Sequence, residues 1–377
     1  MSAASFPAEN PPRSACPLRV EVGATATAPM RISLAGGGTD VPPLARAIGG
    51  RVVCTSIDLH VRATVEPFDR GWVRLEGSWG AVDAPSDEAP LTTLRAATFT
   101  RRSDEAPSSD VAFRLLEAVR AAAGVEDGVL IRVASDLTPG TGLGGSAAAA
   151  VSLLAAFDRA LGRGAAANGA HVASSPGRGA SANRLAIEAA ALERDVLGLR
   201  CGLQDQLCSA TGGLLDLRFF DDGFRVDPIV APPALLHDLA AGLLLVDTRV
   251  RRVSGEILDV ANDGCELDLT ADLVAAADDT ARAFRLGSLP LVVAGMRRSA
   301  SAKLRRGGPS ALPWEWVRKL SRLGAVVVRS CGAGGGGHVL IWAEPACHPD
   351  LIRAVAPCIV RRPALGVPGV TASLVPA

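Results

Sequence analysis

The chain has no surplus of charge of either sign. Its 377 residues carry 39 Lys+Arg against 39 Asp+Glu, a formal net charge of +0. Neither nucleic acid nor an anionic membrane surface is therefore attracted to it as a whole. No apolar run reaches the length of a membrane span. The first 24 residues hold Pro, Ser and Asn but no basic stretch followed by an apolar core, so they read as a disordered or loosely packed extension rather than a signal peptide. Paired cysteines are missing too. The 8 cysteines are scattered with no C-x-x-C, which argues against a zinc site or a disulfide framework and for free thiols in a reducing cytoplasm. Tyrosine is absent and aromatics make up 4%, while Ala, Gly, Arg and Pro are abundant in the manner of GC-rich coding. There is no G-x-x-x-x-G-K-[ST], which excludes a P-loop enzyme. The hydrophobic content of 48% is ample for a core, and the length suggests two domains.

What the chain has is glycine, gathered in three loops. The most telling is Pro139-Gly140-Thr141-Gly142-Leu143-Gly144-Gly145-Ser146, preceded by a strand-like run at 129–133 and followed by an Ala-rich helical run at 146–161. Without side chains in the way, backbone N–H groups can face an anion, and a helix N-terminus adds positive dipole. A plain chain-reversing turn is the alternative. The first loop, Gly36-Gly37-Gly38-Thr39-Asp40, ends a strand and is flanked by Arg31 and Asp40. Arg31 reads either as a surface strand residue or as part of a site, and Asp40 either as a helix cap or as a ligand. The third loop, Cys331-Gly332-Ala333-Gly334-Gly335-Gly336-Gly337-His338, lies between two strands. Three such loops suggest several backbone walls around one polyanionic ligand.

Between the loops, strands are expected over 50–65 as one or two segments, at 73–75, and as a hairpin over 214–226; a short helix is expected at 91–97 and an amphipathic one at 111–123. Residues 162–183 read as a flexible Gly/Ala/Ser linker, with helix resuming from 183. Gln204-Asp205-Gln206 presents polar groups at a helix start, Asp205 being either cap or catalyst. After a boundary near 230, a buried strand at 242–247 is followed by helices near 254–261, 269–285, 289–297 and 314–323, then a strand at 324–329. Gly140 to Gly145 also fits G-x-G-x-x-G, but it lies far into the chain and the acid at the right distance, Asp158, falls inside the helix pattern; a dinucleotide-binding oxidoreductase is disfavoured. Phosphoryl transfer fits better: Ser146 and Glu193 are candidate oxygen ligands for Mg²⁺, Asp205 a carboxylate near the attacking hydroxyl, and Arg31 a charge support.

The three motifs in order (Pro29-Met30-Arg31-Ile32-Ser33-Leu34-Ala35 into the first glycine loop, then Pro139 to Ser146, then Cys331 to His338) resemble the galactokinase/homoserine kinase/mevalonate kinase/phosphomevalonate kinase (GHMP) superfamily. Within it, the Gly-Gly-Gly-Thr-Asp run, Gln204-Asp205-Gln206 and the four-glycine run look like the D-glycero-D-manno-heptose 7-phosphate kinase type. The resemblance implies an α+β, two-domain GHMP kinase fold with the active site in the inter-domain cleft: a flexible extension at 1–24, an ATP-binding domain at 25–230 and a C-terminal domain at 231–377. It implies ATP on Pro139, Gly140, Thr141, Gly142, Leu143, Gly144, Gly145 and Ser146. Mg²⁺ would sit at Ser146 and Glu193, with Asp205 and Arg31 as catalytic residues. The acceptor would meet Gly37, Gly38, Thr39, Asp40, Gln204, Arg252, Gly334 and Gly335.

The resemblance further implies a cytoplasmic enzyme, with a homodimer allowed and no nucleic-acid or membrane partner. It would phosphorylate the anomeric hydroxyl of a sugar phosphate. Heptose 7-phosphate comes first and octose 8-phosphate, of lincosamide antibiotic assembly, second; either product would feed nucleotide-sugar synthesis. Rivals are phosphorylation of fucose or a mevalonate-type or amino alcohol, and a non-catalytic binder. The chain departs from the family at Gly145, where a Ser is usual, at His338, where an aromatic is usual, in the long 162–183 segment, and at Arg249, Arg251 and Arg252. Those arginines are either solvated surface or a clamp for the acceptor's far phosphate.

Overall fold

The computed structural model describes residues 18–42, 45–46, 49–80, 95–108, 110–163, 176–198, 201–250, 266–306 and 312–376. The first strand, β1 (Ala24–Ala35), alternates with period 2 and turns Ala24, Ala26, Ala28, Met30, Ile32 and Leu34 into the core. Its other face carries Arg31 and Ser33, which are buried as well. The next strand, β2 (Gly50–Pro67), is a single 18-residue strand rather than two. One edge follows β1 antiparallel, with register shifts at Pro29/Met30 and Ser33/Ala35. Then come β3 (Trp72–Trp79), β4 (Arg95–Arg102), α1 (Val111–Ala122) and β5 (Val129–Ser135). A strand occupies 95–102, where the sequence suggested the end of a short helix; pairing along all of β3 overrides the local helical spacing.

Helix α2 (Gly145–Ala160) packs across β1 and β2. Its alanines 147, 148 and 150 are buried with Val151, Leu153 and Phe157, small residues that let the helix lie close on the sheet. Helix α3 (Pro176–Ala191) begins inside the segment read as a linker, Pro at the first helical position being compatible with helix entry; residues 164–175 of that segment lie outside the described residues. A π-helical turn (Leu192–Val196) follows, then α4 (Gln204–Thr211), β6 (Leu214–Phe220) and β7 (Gly223–Pro228). The free edge of β2 is shared between β6, along Gly50–Thr55, and β5, along Val61–Pro67.

The remaining elements are α5 (Pro233–Ala241), β8 (Leu243–Asp247), α6 (Glu266–Arg285), α7 (Leu289–Arg306), α8 (Trp314–Arg322), β9 (Ala325–Ser330), β10 (His338–Ala343), α9 (His348–Val355), β11 (Ile359–Arg361) and β12 (Thr371–Leu374). Helix α7 runs nine residues past its expected end at 297. The helix expected at 254–261 lies outside the described residues. Two sheets result. The larger has the order β12-β1-β2-β5-β3-β4 with β6 and β7 branching from β2; the smaller is β11-β8-β10-β9. The final strand thus crosses back to pair with β1. Near the start, Leu18 N donates to Gly124 O at 3.0 Å and Val20 is buried, inside the stretch expected to be loose.

A buried carboxylate fastens α6 to the larger sheet. Asp216 on β6 is fully buried and accepts from Arg51 Nε and Nη2 at 2.8 and 2.7 Å, and from Arg285 Nη2 at 2.7 Å. Burial alone would raise its pKa, but hydrogen bonds from Arg51 and Arg285 outweigh that and hold it below the ordinary value of 3.8. A depressed carboxylate contributes stability above its unfolded pKa and loses it as pH falls through the folded one. Asp216→Asn, which removes the charge that Arg51 and Arg285 share and leaves Arg51 with Asp278 alone, should cost about 2 kcal/mol in urea unfolding at pH 7. The gap to wild type should narrow as pH is lowered past about 3.8.

Candidate active site

Period-2 alternation on β1 places Arg31 and Ser33 on the same face, opposite the core. Arg31 is 3% exposed and bidentate: Nε donates to Asp205 Oδ1 at 2.7 Å and Nη2 to Asp205 Oδ2 at 2.6 Å. Its third nitrogen, Nη1, donates to Gly142 O at 2.8 Å. Burial would weaken its hold on the proton, but the charge and hydrogen bonds of Asp205 more than reverse this and raise its pKa. Asp205 stands in the first turn of α4 and remains 29% exposed on its side chain. The second glycine loop lies against it, for a Cβ on Gly144 would come within 3.4 Å of Asp205 Oδ2. Gly144 has φ 76° and no side chain caps α2, which leaves first-turn N–H groups of a 16-residue helix without an intrahelical partner beside that carboxylate.

The exposed Ser146 hydroxyl at the head of α2 hydrogen-bonds the carboxylate of Glu193, which comes from the π-turn and is 2% exposed. Gln206 Nε2 donates to Glu193 as well, and Gln206 Oε1 is buried with no partner. Burial pushes the Glu193 pKa up, against the two hydrogen bonds. Asp40 has turned inward. Its Oδ2 accepts from the backbone N of Leu203 and of Gln204, both at 3.0 Å, so it caps α4 rather than a helix of its own. Burial first, and then the charge of Asp205, raise its pKa. Gly202 leaves the space for it: a Cβ there would lie 1.8 Å from Asp40 Oδ2. Ser33 Oγ donates to Gln204 Oε1 at 3.1 Å, and Thr39 Oγ1 holds the first loop closed on Gly36 O at 2.9 Å.

The third glycine loop docks on the second. His338 N and Nδ1 both contact Thr141 O, at 3.0 and 3.1 Å, so Nδ1 carries the proton. A Cβ on Gly142, whose φ is 79°, would fall 2.7 Å from Cys331 O. Helix α7 braces the loops from behind with two residues one turn apart. Ser299 Oγ accepts from Gly36 N at 3.1 Å, and Lys303 Nζ donates to Ser330 O at 3.1 Å and to Gly332 O. Arg329, 3% exposed, donates to Leu34 O at 2.8 Å. Burial lowers its pKa to about 10, Cys331 opposing and Arg31 adding to the fall.

Residues 110–213, which hold the second loop, Glu193 and Asp205, match the family of GHMP kinases N terminal domain. The chain carries a GHMP kinase N-terminal domain and has the GHMP kinase fold. A curated relative, the D-glycero-alpha-D-manno-heptose 7-phosphate kinase of Campylobacter jejuni, is 24% identical over 344 residues, 87% of this chain and 91% of that protein. A crystal structure of a D-glycero-D-manno-heptose 1-phosphate kinase from Bacteriodes thetaiotaomicron superposes with a TM-score of 0.68 at 20% identity, covering 94% of this chain and 100% of that one. Streptococcus pneumoniae phosphomevalonate kinase, in complex with phosphomevalonate and AMPPNP, gives 0.65 at 12% identity, covering 93% and 99%.

On this GHMP kinase fold, Arg31, Asp205, Gly142, Gly144, Ser146 and Glu193 are brought together. The first loop, with Gly37, Gly38, Thr39 and Asp40, adjoins Gln204. Gly334 and Gly335 lie in the third loop with φ of 92° and 71°. Arg252 and Arg251 lie outside the described residues. Arg249 is exposed at φ 60°, with its charge bearing on Cys358. Sequence reasoning missed Gln206 as a partner of Glu193, and Ser299 and Lys303 as braces. The signal for that pair was four-residue spacing on a helix, a signal that most helices share. Gly202→Ala should force Asp40 off the head of α4. We expect about 2 kcal/mol lower stability in thermal melts, from two buried N–H groups left unpaired. Gly179→Ala is the control, since a Cβ there meets nothing within 4 Å and its φ is not positive.

Proposed function

We propose that the chain transfers the γ-phosphoryl group of ATP to the anomeric C1 hydroxyl of a sugar phosphate, heptose 7-phosphate first and octose 8-phosphate second. One observation carries this reading: a single buried guanidinium, Arg31, binds Asp205 through two nitrogens and the glycine-loop carbonyl of Gly142 through the third. A carboxylate is thereby held at the rim of a loop built for phosphate. The likeness to heptose phosphate kinases supports the acceptor class.

In this reading the uncapped head of α2 and the backbone from Pro139 to Ser146 bind the ATP phosphates. Asp205 accepts the proton of the C1 hydroxyl as its oxygen bonds to the γ-phosphorus and the bond to ADP breaks. Arg31 keeps the carboxylate oriented and offsets charge at the reacting centre. The Ser146 hydroxyl, the Glu193 carboxylate and the unpartnered Gln206 Oε1 are hard oxygen donors of the kind Mg²⁺ takes, so the residues present fit that ion. Bound there, Mg²⁺ would neutralise phosphate charge. Residues 25–230 and 231–377 are read as two domains contributing loops one and two, and loop three with α7, to a cleft between them. The setting is read as cytoplasmic, and among the described residues no helix is long and apolar enough to cross a membrane.

The test is ADP release from the purified chain with ATP, Mg²⁺ and a panel of sugars and sugar phosphates. If no sugar phosphate stimulates turnover, the reading fails. Asp205→Asn should lower kcat by about 10²-fold or more; full turnover in that variant would remove Asp205 from the role of base. Gly145 supplies a second check. A Cβ there meets only Met30 Cε, at 3.7 Å. Gly145→Ser should therefore fold normally and, by adding a hydroxyl donor at the loop, lower the KM for ATP about threefold.

A further inference from the structure

We propose that Arg46 and Arg194 clamp the far-end phosphate of the acceptor, in a cavity beside Asp40. The inference rests on the sugar-phosphate reading above. The cavity measures ≈ 280 Å³ and is lined by Asp40, Arg46, Arg194, Leu203 and the Phe219-Phe220 end of β6. Leu203 precedes α4 and its N–H is held by Asp40, so this wall of the cavity is two residues from Asp205. An acceptor phosphorylated at the end remote from C1 has two demands: one end at Asp205, the other against cations. Arg46 and Arg194 are the cations lining this space, and Leu203, Phe219 and Phe220 offer apolar surface to the C–H face of a sugar.

Both arginines are available for an anion. Arg46 faces Asp221 at 4.0 Å, with side chains 64% and 83% exposed. So exposed a pair is worth little and is readily exchanged for shorter, charge-assisted bonds to a phosphate. Arg194 is partly exposed, and among the described residues no carboxylate forms an ion pair with it. The carboxylates lining the space are Asp221 and Asp40, and Asp40 already accepts two backbone N–H bonds. Elsewhere the fit is poorer. The cavity at Lys303 and Arg329 measures ≈ 10 Å³, space for one water. Arg249 is exposed, its charge bears on Cys358, and its neighbours Thr248 and Val250 bond Gly337 of the third glycine loop rather than the Asp40–Leu203 wall. Guanidinium forks match phosphate oxygens in pairs, so two of them select a phosphate over a hydroxyl.

The experiment compares kcat/KM for a sugar phosphate with kcat/KM for the same sugar lacking that phosphate, in the full chain. Arg46→Gln and Arg194→Gln should each cut this preference about tenfold or more, with the loss in KM of the phosphorylated acceptor. Arg194→Lys should restore part of it. Asp221→Asn, at an exposed turn, should raise the preference about threefold by removing a competing charge. If wild type turns over sugar phosphates and the preference is unchanged in both Gln variants, the clamp is overturned while the proposed function stands. Should either Gln variant melt early, Asp221→Asn decides: an unchanged preference there overturns the clamp. Wild type without turnover on any sugar phosphate overturns the proposed function itself.

Discussion

The guanidinium of Arg31 is the constraint on which the site depends. It is buried to 3% exposure and spends all its directions at once, two nitrogens on Asp205 and one on Gly142 O. A charge so deep in a protein is tolerated only with close partners, so β1, α4 and the second glycine loop are drawn to one point. Loss of Asp205 would leave that buried cation without its charge partner, and loss of the Gly142 carbonyl would leave one of its nitrogens unpaired. The geometry around Asp205 is thereby set before any ligand arrives.

A second level of constraint comes from backbone packed against backbone. Gly142 approaches Cys331 O so closely that a side chain would have no place, and Thr141 O takes two hydrogen bonds from His338. These contacts couple a loop of the larger sheet to a loop of the smaller one. Helix α7 does the same from the other side, with Ser299 on the first loop and Lys303 on the third. His338 makes its contact with Thr141 O through both its backbone N and its ring Nδ1. The three glycine loops are consequently tied to each other and to the Arg31–Asp205 pair.

Much of this was legible along the chain because it is written in short-range patterns. Glycine clusters mark loops, the alternation of Ala26 to Leu34 marks a strand, and the run after Gly145 marks a helix. Where local and non-local forces disagree, the reading failed. The short helix expected at 91–97 gives way to a strand from 95, because β3 offers a full row of partners. The Gly/Ala/Ser segment looks flexible and becomes helix from Pro176. The inward turn of Asp40 depends on Gly202, 162 positions away in sequence, having no side chain.

By itself the sequence determined the chemistry on offer: three glycine loops, an arginine and an aspartate near the first, a serine heading a helix, and a carboxylate in Gln204-Asp205-Gln206. Residue types and their spacing along a strand or helix are local properties, and local properties survive in one dimension. Only the tertiary structure decided which of these meet. It paired Arg31 with Asp205 across 174 positions and Ser146 with Glu193, set Asp40 to capping α4, and opened the cavity between Arg46 and Arg194. Such contacts arise from how sheets and helices stack to bury apolar surface, and no pattern within a single element encodes them.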